Sequence, residues 1–181
     1  RKSLYEIPMH MEHQHIAERV LERLGLPQCE PDLAAWEAML ERIYNPKHTA
    51  RIAMVGKYMD LHDAYLSVTL AGPETEVEIK YVDSEDVEDQ GPEKLLADVD
   101  GVLVPGGFGQ RGIEGKIQAV RYARENCLPY LGLCLGLQTA VIEFARDVCG
   151  LEGAHSREID EATPHPVVIY LKEQEYITEL G

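Results

Sequence analysis

Residues 131–138 constrain the fold of this chain more than any other stretch. An apolar run that stops at a glycine predicts a buried strand, and from Leu135 onward the apolar residues take up helical spacing. Cys134 is therefore predicted to lie on the turn between a strand and a helix. Gly132 and Gly136 stand two residues away from it on either side.

This arrangement is the glycine-flanked elbow that presents a nucleophile, here with sulfur in place of oxygen. Glycines flank such a turn because the backbone and the neighbouring strands come too close for a Cβ atom. The helix that follows offers unpaired N–H groups and the positive end of its dipole, which favour a thiolate and an oxyanion. The alternative interpretation is that Cys134 is a small buried apolar residue, the commonest fate of a free cysteine.

The length and composition allow one α/β domain with a full core and a smaller appendage. The 181 residues carry a formal net charge of −15 and no stripe of lysine or arginine, which argues against a nucleic-acid surface. No apolar run approaches membrane-spanning length and no signal peptide opens the chain, so we expect a cytoplasmic protein. The four cysteines lack C-x-x-C spacing, so neither a disulfide framework nor a metal site is predicted.

Residues 1–50 differ from the rest because they predict helices without strands. Two amphipathic patterns occur there: Ile16, Val20, Leu21 and Leu24 before Gly25, and Leu33, Trp36, Leu40 and Ile43 before Asn45 and Pro46. Two short helices do not make a core, so this segment has to dock on something else. We interpret it as the end of a preceding domain with a linker, and residues 51–181 as a second domain.

From residue 51 the pattern alternates between strand and helix. Strands are predicted at 52–56, at 77–82 nearer a sheet edge, and at 101–105, and a helix at 113–126 precedes the elbow. Such alternation indicates right-handed crossovers and a parallel sheet in an α/β fold, with ligands at the carboxyl ends of the strands. The loop 106–109 and the elbow both follow strands, so they can face each other across one crevice.

The loop Gly106-Gly107-Phe108-Gly109 lacks the spacing of dinucleotide sites and has no Gly-Lys-Ser/Thr, so a phosphate cradle is disfavoured. The loop is better suited to present a backbone N–H group as a hydrogen-bond donor to an oxyanion beside Cys134. A tight turn with close packing is the structural alternative.

With both glycine loops considered together, the chain closely resembles the CTP synthase family, namely its class I glutamine amidotransferase domain with the end of the synthetase domain before it. The matching runs are 2–8, 55–58, 63–68, 82–84, 104–109, 111–116, 132–138, 141–146 and 163–167. The resemblance implies a three-layer, flavodoxin-like fold of the class I amidotransferase type, incomplete at its C-terminal side.

The family makes CTP from UTP, ATP and glutamine, and the resemblance implies a role for each matching residue. Cys134 would be the nucleophile that attacks the glutamine side-chain amide, and the N–H groups of Gly107 and Leu135 would form the oxyanion hole. Glutamine would be bound by Gly107, Leu135, Gly136, Leu137, Gln138 and Glu158. A carboxylate at Glu158 can accept hydrogen bonds from the ammonium group of the substrate.

The resemblance also implies partners outside this chain. No cofactor is expected in these residues, whereas Mg²⁺ and ATP are expected in the synthetase domain, together with UTP, a GTP effector and a homotetramer. Two other interpretations stay open: a non-catalytic amidotransferase-like module that binds or regulates a partner, and a cysteine hydrolase of another α/β family.

Three departures from the family pattern matter. The family's histidine base, followed two residues later by a glutamate, is expected beyond Gly181, so we expect this chain alone to turn over little glutamine. We interpret His155 and His165 as surface or loop residues, and the His-x-Glu sequence at residues 10–12 as accidental. The segment after Val68 is about six residues shorter than the family pattern leads us to expect, and a crossover between parallel strands needs a dozen or more residues, so either the crossover is abbreviated or residues are missing from the sequence. Arg157 stands where the family usually has threonine.

Overall fold

The computed structural model describes residues 3–57, 75–107 and 109–170. The chain divides into two compact units whose first boundary lies between Thr49 and Ala50, and Thr75 and Glu76 also fall in the first unit. The predicted short crossover after Val68 and the side chain of Phe108 lie outside the described residues.

The first unit is helical, as the apolar spacing predicts. A 3-10 helix at Leu4–Glu6 leads into α1 (Ile7–His13), α2 (Ile16–Leu24) and α3 (Ala34–Tyr44). Helix α2 ends where Gly25 takes up a left-handed conformation, with φ of 63°. The indole N–H of Trp36 on α3 donates a 2.8 Å hydrogen bond to the carbonyl oxygen of Tyr5. Both predicted helices of residues 1–50 are therefore confirmed.

The second unit contains most of a four-stranded sheet. Its strands are β1 (His48–Gly56), β2 (Thr75–Asp83), β3 (Gly101–Val104) and β4 (Tyr130–Gly132), in the order β2-β1-β3-β4. The first two residues of β1 and of β2 fall in the first unit. Strand β3 pairs in parallel with β1 on one side and with β4 on the other. The α/β fold with a mostly parallel sheet is confirmed, and so is the edge position predicted for β2.

Helices cover the sheet, and a small second strand pair follows them. The helices are α4 (Ser84–Gln90), α5 (Pro92–Leu95), α6 (Ile113–Glu125) and α7 (Leu135–Asp147), and β5 (His155–Ser156) pairs in parallel with β6 (Pro166–Val168). One core cluster joins strand residues such as Val55 and Val104 to Ala119 of α6, and a second joins α6 to Leu135 and Ile142 of α7. Helix α6 therefore packs against both the sheet and the elbow helix. None of the helices in the described ranges combines the length and apolarity needed to cross a membrane.

Candidate functional site

Cys134 lies between β4 and α7, at the turn that the sequence predicts. Its backbone has φ of 51° and ψ of −108°, a conformation that a side-chain-bearing residue adopts at a cost of roughly 1–3 kcal/mol and that clusters at functional sites. The cysteine is free and exposed, as are Cys29, Cys127 and Cys149. The alternative that Cys134 is a buried core residue is therefore wrong.

The two flanking glycines are required by close backbone approaches. A Cβ atom on Gly136 would lie 2.1 Å from the carbonyl oxygen of Val104 on β3, and one on Gly132 would lie 2.5 Å from the carbonyl carbon of Gly136. Distances this short cannot be relieved without moving backbone. The glycines thus hold the start of α7 directly against the ends of β3 and β4, which leaves the side chain of Cys134 outside the core.

The loop after β3 lies beside the elbow. A Cβ atom on Gly106 would contact the Cβ of Cys134 at 3.4 Å, and one on Gly107 would contact Leu135 at 3.8 Å. Among the described residues, no group accepts a hydrogen bond from the backbone N–H of Gly107 or of Leu135. Two neighbouring loops therefore offer free donors next to the thiol, the arrangement that binds a developing oxyanion.

A cavity of about 100 Å³ opens at this place. It is lined by Gly107, Gly109, Cys134, Leu135, Gln138, Glu158 and Ile159. Its volume is well below the roughly 300 Å³ at which pockets for drug-sized ligands begin. A cavity of this size is suited to a small polar group such as a side-chain amide.

Glu158 reaches the cavity from a turn that follows β5. The buried hydroxyl of Ser156 accepts a 3.3 Å hydrogen bond from the N–H of Glu158, and the carbonyl oxygen of Ser156 accepts from Ile159 and Asp160 at 3.1 and 2.9 Å. The side-chain amide of Gln110 donates a 2.7 Å hydrogen bond to the carbonyl oxygen of Ile159. The glycine loop and the Glu158 turn are thus fixed to each other.

The structure brings most of the predicted site residues together, and two of them lie elsewhere. Gly136 is buried against β3, and Leu137 is 60% exposed outside the lining of the cavity. Sequence reasoning missed Gly109, Gln110 and Ile159. The sequence of a glycine loop does not indicate which side chain will form a hydrogen bond to a turn much later in the chain. The sequence therefore gave no signal for Gln110.

The histidines after the elbow helix lie apart from the described lining of the cavity. His165 is exposed in a loop, as predicted. The prediction for His155 is wrong, because it lies in β5 with its side chain only 12% exposed and 3.8 Å from a carboxylate oxygen of Glu114. Burial, with a smaller effect of Arg146, lowers the pKa of His155, so its imidazole is neutral near pH 7.

Comparison with known proteins decides the family. The model of the class-I glutamine amidotransferase family matches residues 61–178. The chain belongs to this amidotransferase family. The amidotransferase fold is also seen in a solved structure titled as the glutaminase domain of Trypanosoma brucei CTPS with bound acivicin, which is 37% identical, has a TM-score of 0.63, and covers 73% of this chain and 54% of that one.

Within the amidotransferases, this chain is similar to CTP synthases. That of Caldanaerobacter subterraneus subsp. tengcongensis is 52% identical over 99% of this chain, and that of Thermococcus kodakarensis is 51% identical over 98%. The chain spans about a third of the length of these relatives, 35% and 34% respectively. The resemblance to CTP synthase that the sequence motifs predict is confirmed.

Proposed function

We propose that this chain is the nucleophile-bearing part of the glutaminase domain of a glutamine-dependent CTP synthase. The observation that carries the proposal is the exposed thiol of Cys134 on a strained elbow, beside the N–H groups of Gly107 and Leu135, which donate to no group of the described residues. Identity of about 50% to CTP synthases over nearly the whole chain supports the choice among amidotransferases.

In the proposed reaction the sulfur of Cys134 attacks the carbon of the glutamine side-chain amide. The N–H groups of Gly107 and Leu135 hold the oxyanion of the tetrahedral intermediate. The carbon–nitrogen bond then breaks, and the nitrogen takes up a proton and leaves as ammonia. Water hydrolyses the remaining thioester to glutamate and restores the thiol. The carboxylate of Glu158, which lines the same cavity, accepts hydrogen bonds from the substrate ammonium group.

The thiol needs a base, and the described lining of the cavity contains no histidine. We propose that the base, with its orienting glutamate, is supplied by the remainder of the CTP synthase, which also binds UTP, Mg²⁺ and ATP and aminates UTP with the ammonia.

By the same resemblance we propose a GTP effector and a homotetramer. Light scattering with and without nucleotides tests the assembly, and glutamine hydrolysis measured against GTP concentration tests the effector.

The central experiment compares Cys134→Ala with Cys149→Ala in the complete CTP synthase that contains this chain. Cys149 is also free and exposed, so it controls for the loss of a thiol. We expect Cys134→Ala to abolish CTP formation from glutamine and to spare formation from free ammonia, whereas Cys149→Ala retains both. Loss of both activities in Cys134→Ala would contradict the division of roles.

A second experiment uses this chain as it stands. The structure of the T. brucei glutaminase domain contains bound acivicin, so acivicin is the probe for this experiment. We expect acivicin to label Cys134 and to leave Cys149 unlabelled, as read from peptide masses. Equal labelling of both thiols would favour the non-catalytic module, because a built glutamine site reacts selectively.

A further inference from the structure

Lys116 is a charged side chain in the interior of the second unit. It lies in the first turn of α6 and is only 1% exposed, among the largest fully buried side chains of the described residues. No described residue accepts a hydrogen bond from its ammonium group or forms an ion pair with it within 4 Å. A lysine side chain that is this deeply buried loses much of its hydration, which is costly for the charged form, so its presence calls for a physical reason.

The surroundings of Lys116 make the position still less favourable for a positive charge. The first turn of a helix carries the positive end of the dipole, which repels a cation. Burial is the main cause that lowers the pKa of Lys116, the neighbouring Lys57 lowers it further, and Asp83 opposes both. Places where local rules are broken in this way are commonly functional rather than structural.

A close helix contact holds Lys116 in place. A Cβ atom on Gly115 would lie 1.8 Å from the carbonyl oxygen of Ser84, so α6 packs backbone to backbone on the start of α4. The N–H of Gly115 donates a 3.0 Å hydrogen bond to the carboxylate of Glu88. These contacts fix the residue next to Lys116 in the chain, and the direction in which the lysine leaves the helix is fixed with it.

The ammonium group of Lys116 lies against the loop that carries the predicted oxyanion donor. The Nζ of Lys116 is 3.8 Å from the position that a Cβ atom on Gly107 would take. A Cβ atom on the neighbouring Gly106 would lie 3.4 Å from the Cβ of Cys134. Gly106 and Gly107 are consecutive residues, whose Cα atoms are about 3.8 Å apart. The ammonium of Lys116 therefore lies next to one of these two residues, and Cys134 lies next to the other. A charge this close to the loop acts on the site by a Coulomb interaction over a short distance.

We propose that Lys116 is an electrostatic positioning residue of the glutaminase site, whose buried ammonium stabilises negative charge on Cys134 and on the oxyanion bound by Gly107 and Leu135. The inference rests on the proposed function and deepens it. It also explains why a lysine stands where an apolar residue would cost less: the charge is retained for its effect on the reaction.

The test replaces Lys116 by methionine, which has a similar length and no charge, and by glutamine as a second neutral variant. Lys80→Met is the matched control, since Lys80 on β2 pairs with the carboxylate of Asp98 at 2.6 Å and neither residue lines the cavity. Iodoacetamide alkylation of Cys134 in this chain is followed from pH 6 to 10 by peptide mass spectrometry, with Cys149 as the internal reference. Glutamine hydrolysis is measured in the complete CTP synthase.

We expect the pH midpoint of Cys134 alkylation to rise by about half a unit or more in Lys116→Met, with no change for Cys149 or in Lys80→Met. We expect kcat for glutamine hydrolysis to fall roughly tenfold with KM within about twofold, because a through-space charge contributes less than a direct oxyanion donor. The thermal midpoint should stay level or rise, because a charge on a largely buried side chain is removed.

An unchanged alkylation profile together with unchanged kcat would overturn the inference. So would unfolding of both neutral variants, since Lys116 would then be a structural residue. If the complete wild-type protein hydrolyses no glutamine, the proposed function fails by itself, and the alkylation profile still decides whether Lys116 acts on Cys134.

Discussion

The phenolic hydroxyl of Tyr130 on β4 donates a 2.7 Å hydrogen bond to the carbonyl oxygen of Gly136, in the first turn of α7. The hydroxyl of Thr139 donates to the same oxygen at 2.9 Å. Strand and helix on the two sides of Cys134 are therefore joined underneath the elbow. The strained backbone at Cys134 persists because the hydrogen bond from Tyr130 to Gly136 ties the strand before Cys134 to the helix after it.

The first prediction concerns Tyr130→Phe. At neutral pH the variant loses about 1 kcal/mol of unfolding free energy, because one hydrogen bond is removed while Thr139 still satisfies Gly136. Urea unfolding of this chain at pH 7 measures the loss. Thr139→Val removes the other hydroxyl and is expected to cost a similar amount. A loss several times larger in Tyr130→Phe would mean that the ring has been displaced.

The same variant predicts a pH dependence. Burial raises the pKa of Tyr130 to about 12 from its ordinary value of 10. The unfolded chain therefore releases this proton above pH 10 and the folded chain only near pH 12, so the stability present below pH 10 is lost between pH 10 and 12. Relative to Tyr130→Phe, the wild-type chain should lose about 2–3 kcal/mol over that window. Parallel stability curves for the two proteins would contradict the burial of this hydroxyl.

The second prediction concerns the approach of α7 to β3. Gly136→Ala places a Cβ atom 2.1 Å from the carbonyl oxygen of Val104, so the helix start has to move. We expect a loss of about 3 kcal/mol or more, at the upper end for overpacking, together with loss of selective labelling of Cys134. Gly150→Ala is the control, because Gly150 has φ of 68° and open space around it. It should lose only the roughly 1 kcal/mol of a left-handed residue.

The elements nearest the site were predictable because they depend on local rules. Glycine positions and apolar periodicity indicated α2 with its end at Gly25, the sheet, and the Cys134 elbow. The spacing also predicted α7, but it did not say which side of that helix is covered: Leu137 and Val141 are 60% and 41% exposed. The burial of a helix face depends on which elements pack there, and this information is not local to the helix.

Two features of the site were hidden for a related reason. Lys116 follows Gly115 in a helix whose apolar residues predict a core face, and the usual expectation for lysine is an exposed position. Its burial follows from the contact of Gly115 with Ser84, two residues far apart in sequence. The turn that presents Glu158 depends in the same way on Gln110, which lies 49 positions before Ile159.

The third prediction concerns the ion pair between α6 and α7. Glu143 is 1% exposed, and one of its carboxylate oxygens accepts hydrogen bonds from Arg124 at 2.7 and 2.9 Å. Arg124→Met leaves a buried carboxylate without its partner, whereas the double variant Arg124→Met with Glu143→Met removes both charges. We expect the single variant to lower the thermal midpoint by several degrees and the double variant to restore much of the loss. Equal midpoints for the single and double variants would show that the pair is solvated.

The last prediction separates the shape of the site from the reactivity of its thiol. Gln110 joins the glycine loop to the Glu158 turn through its hydrogen bond to Ile159, and no hydrogen bond joins it to Cys134 among the described residues. In Gln110→Ala we expect acivicin labelling of Cys134 to slow by roughly three- to tenfold, the effect of losing one oriented hydrogen bond worth about 1 kcal/mol. Iodoacetamide alkylation should be unchanged, because that reagent needs only an accessible thiolate.

Gln28→Ala is the control for this experiment, since Gln28 also donates its side-chain amide to a backbone carbonyl, that of Glu18 at 3.1 Å, within the first unit. It should leave both labelling rates unchanged. If Gln110→Ala slowed the two reagents equally, the hydrogen bond would be acting on the thiol and not on the position of Glu158. If neither rate changed, the Glu158 turn would be held in place without Gln110, and the buried hydroxyl of Ser156 would be sufficient to fix it.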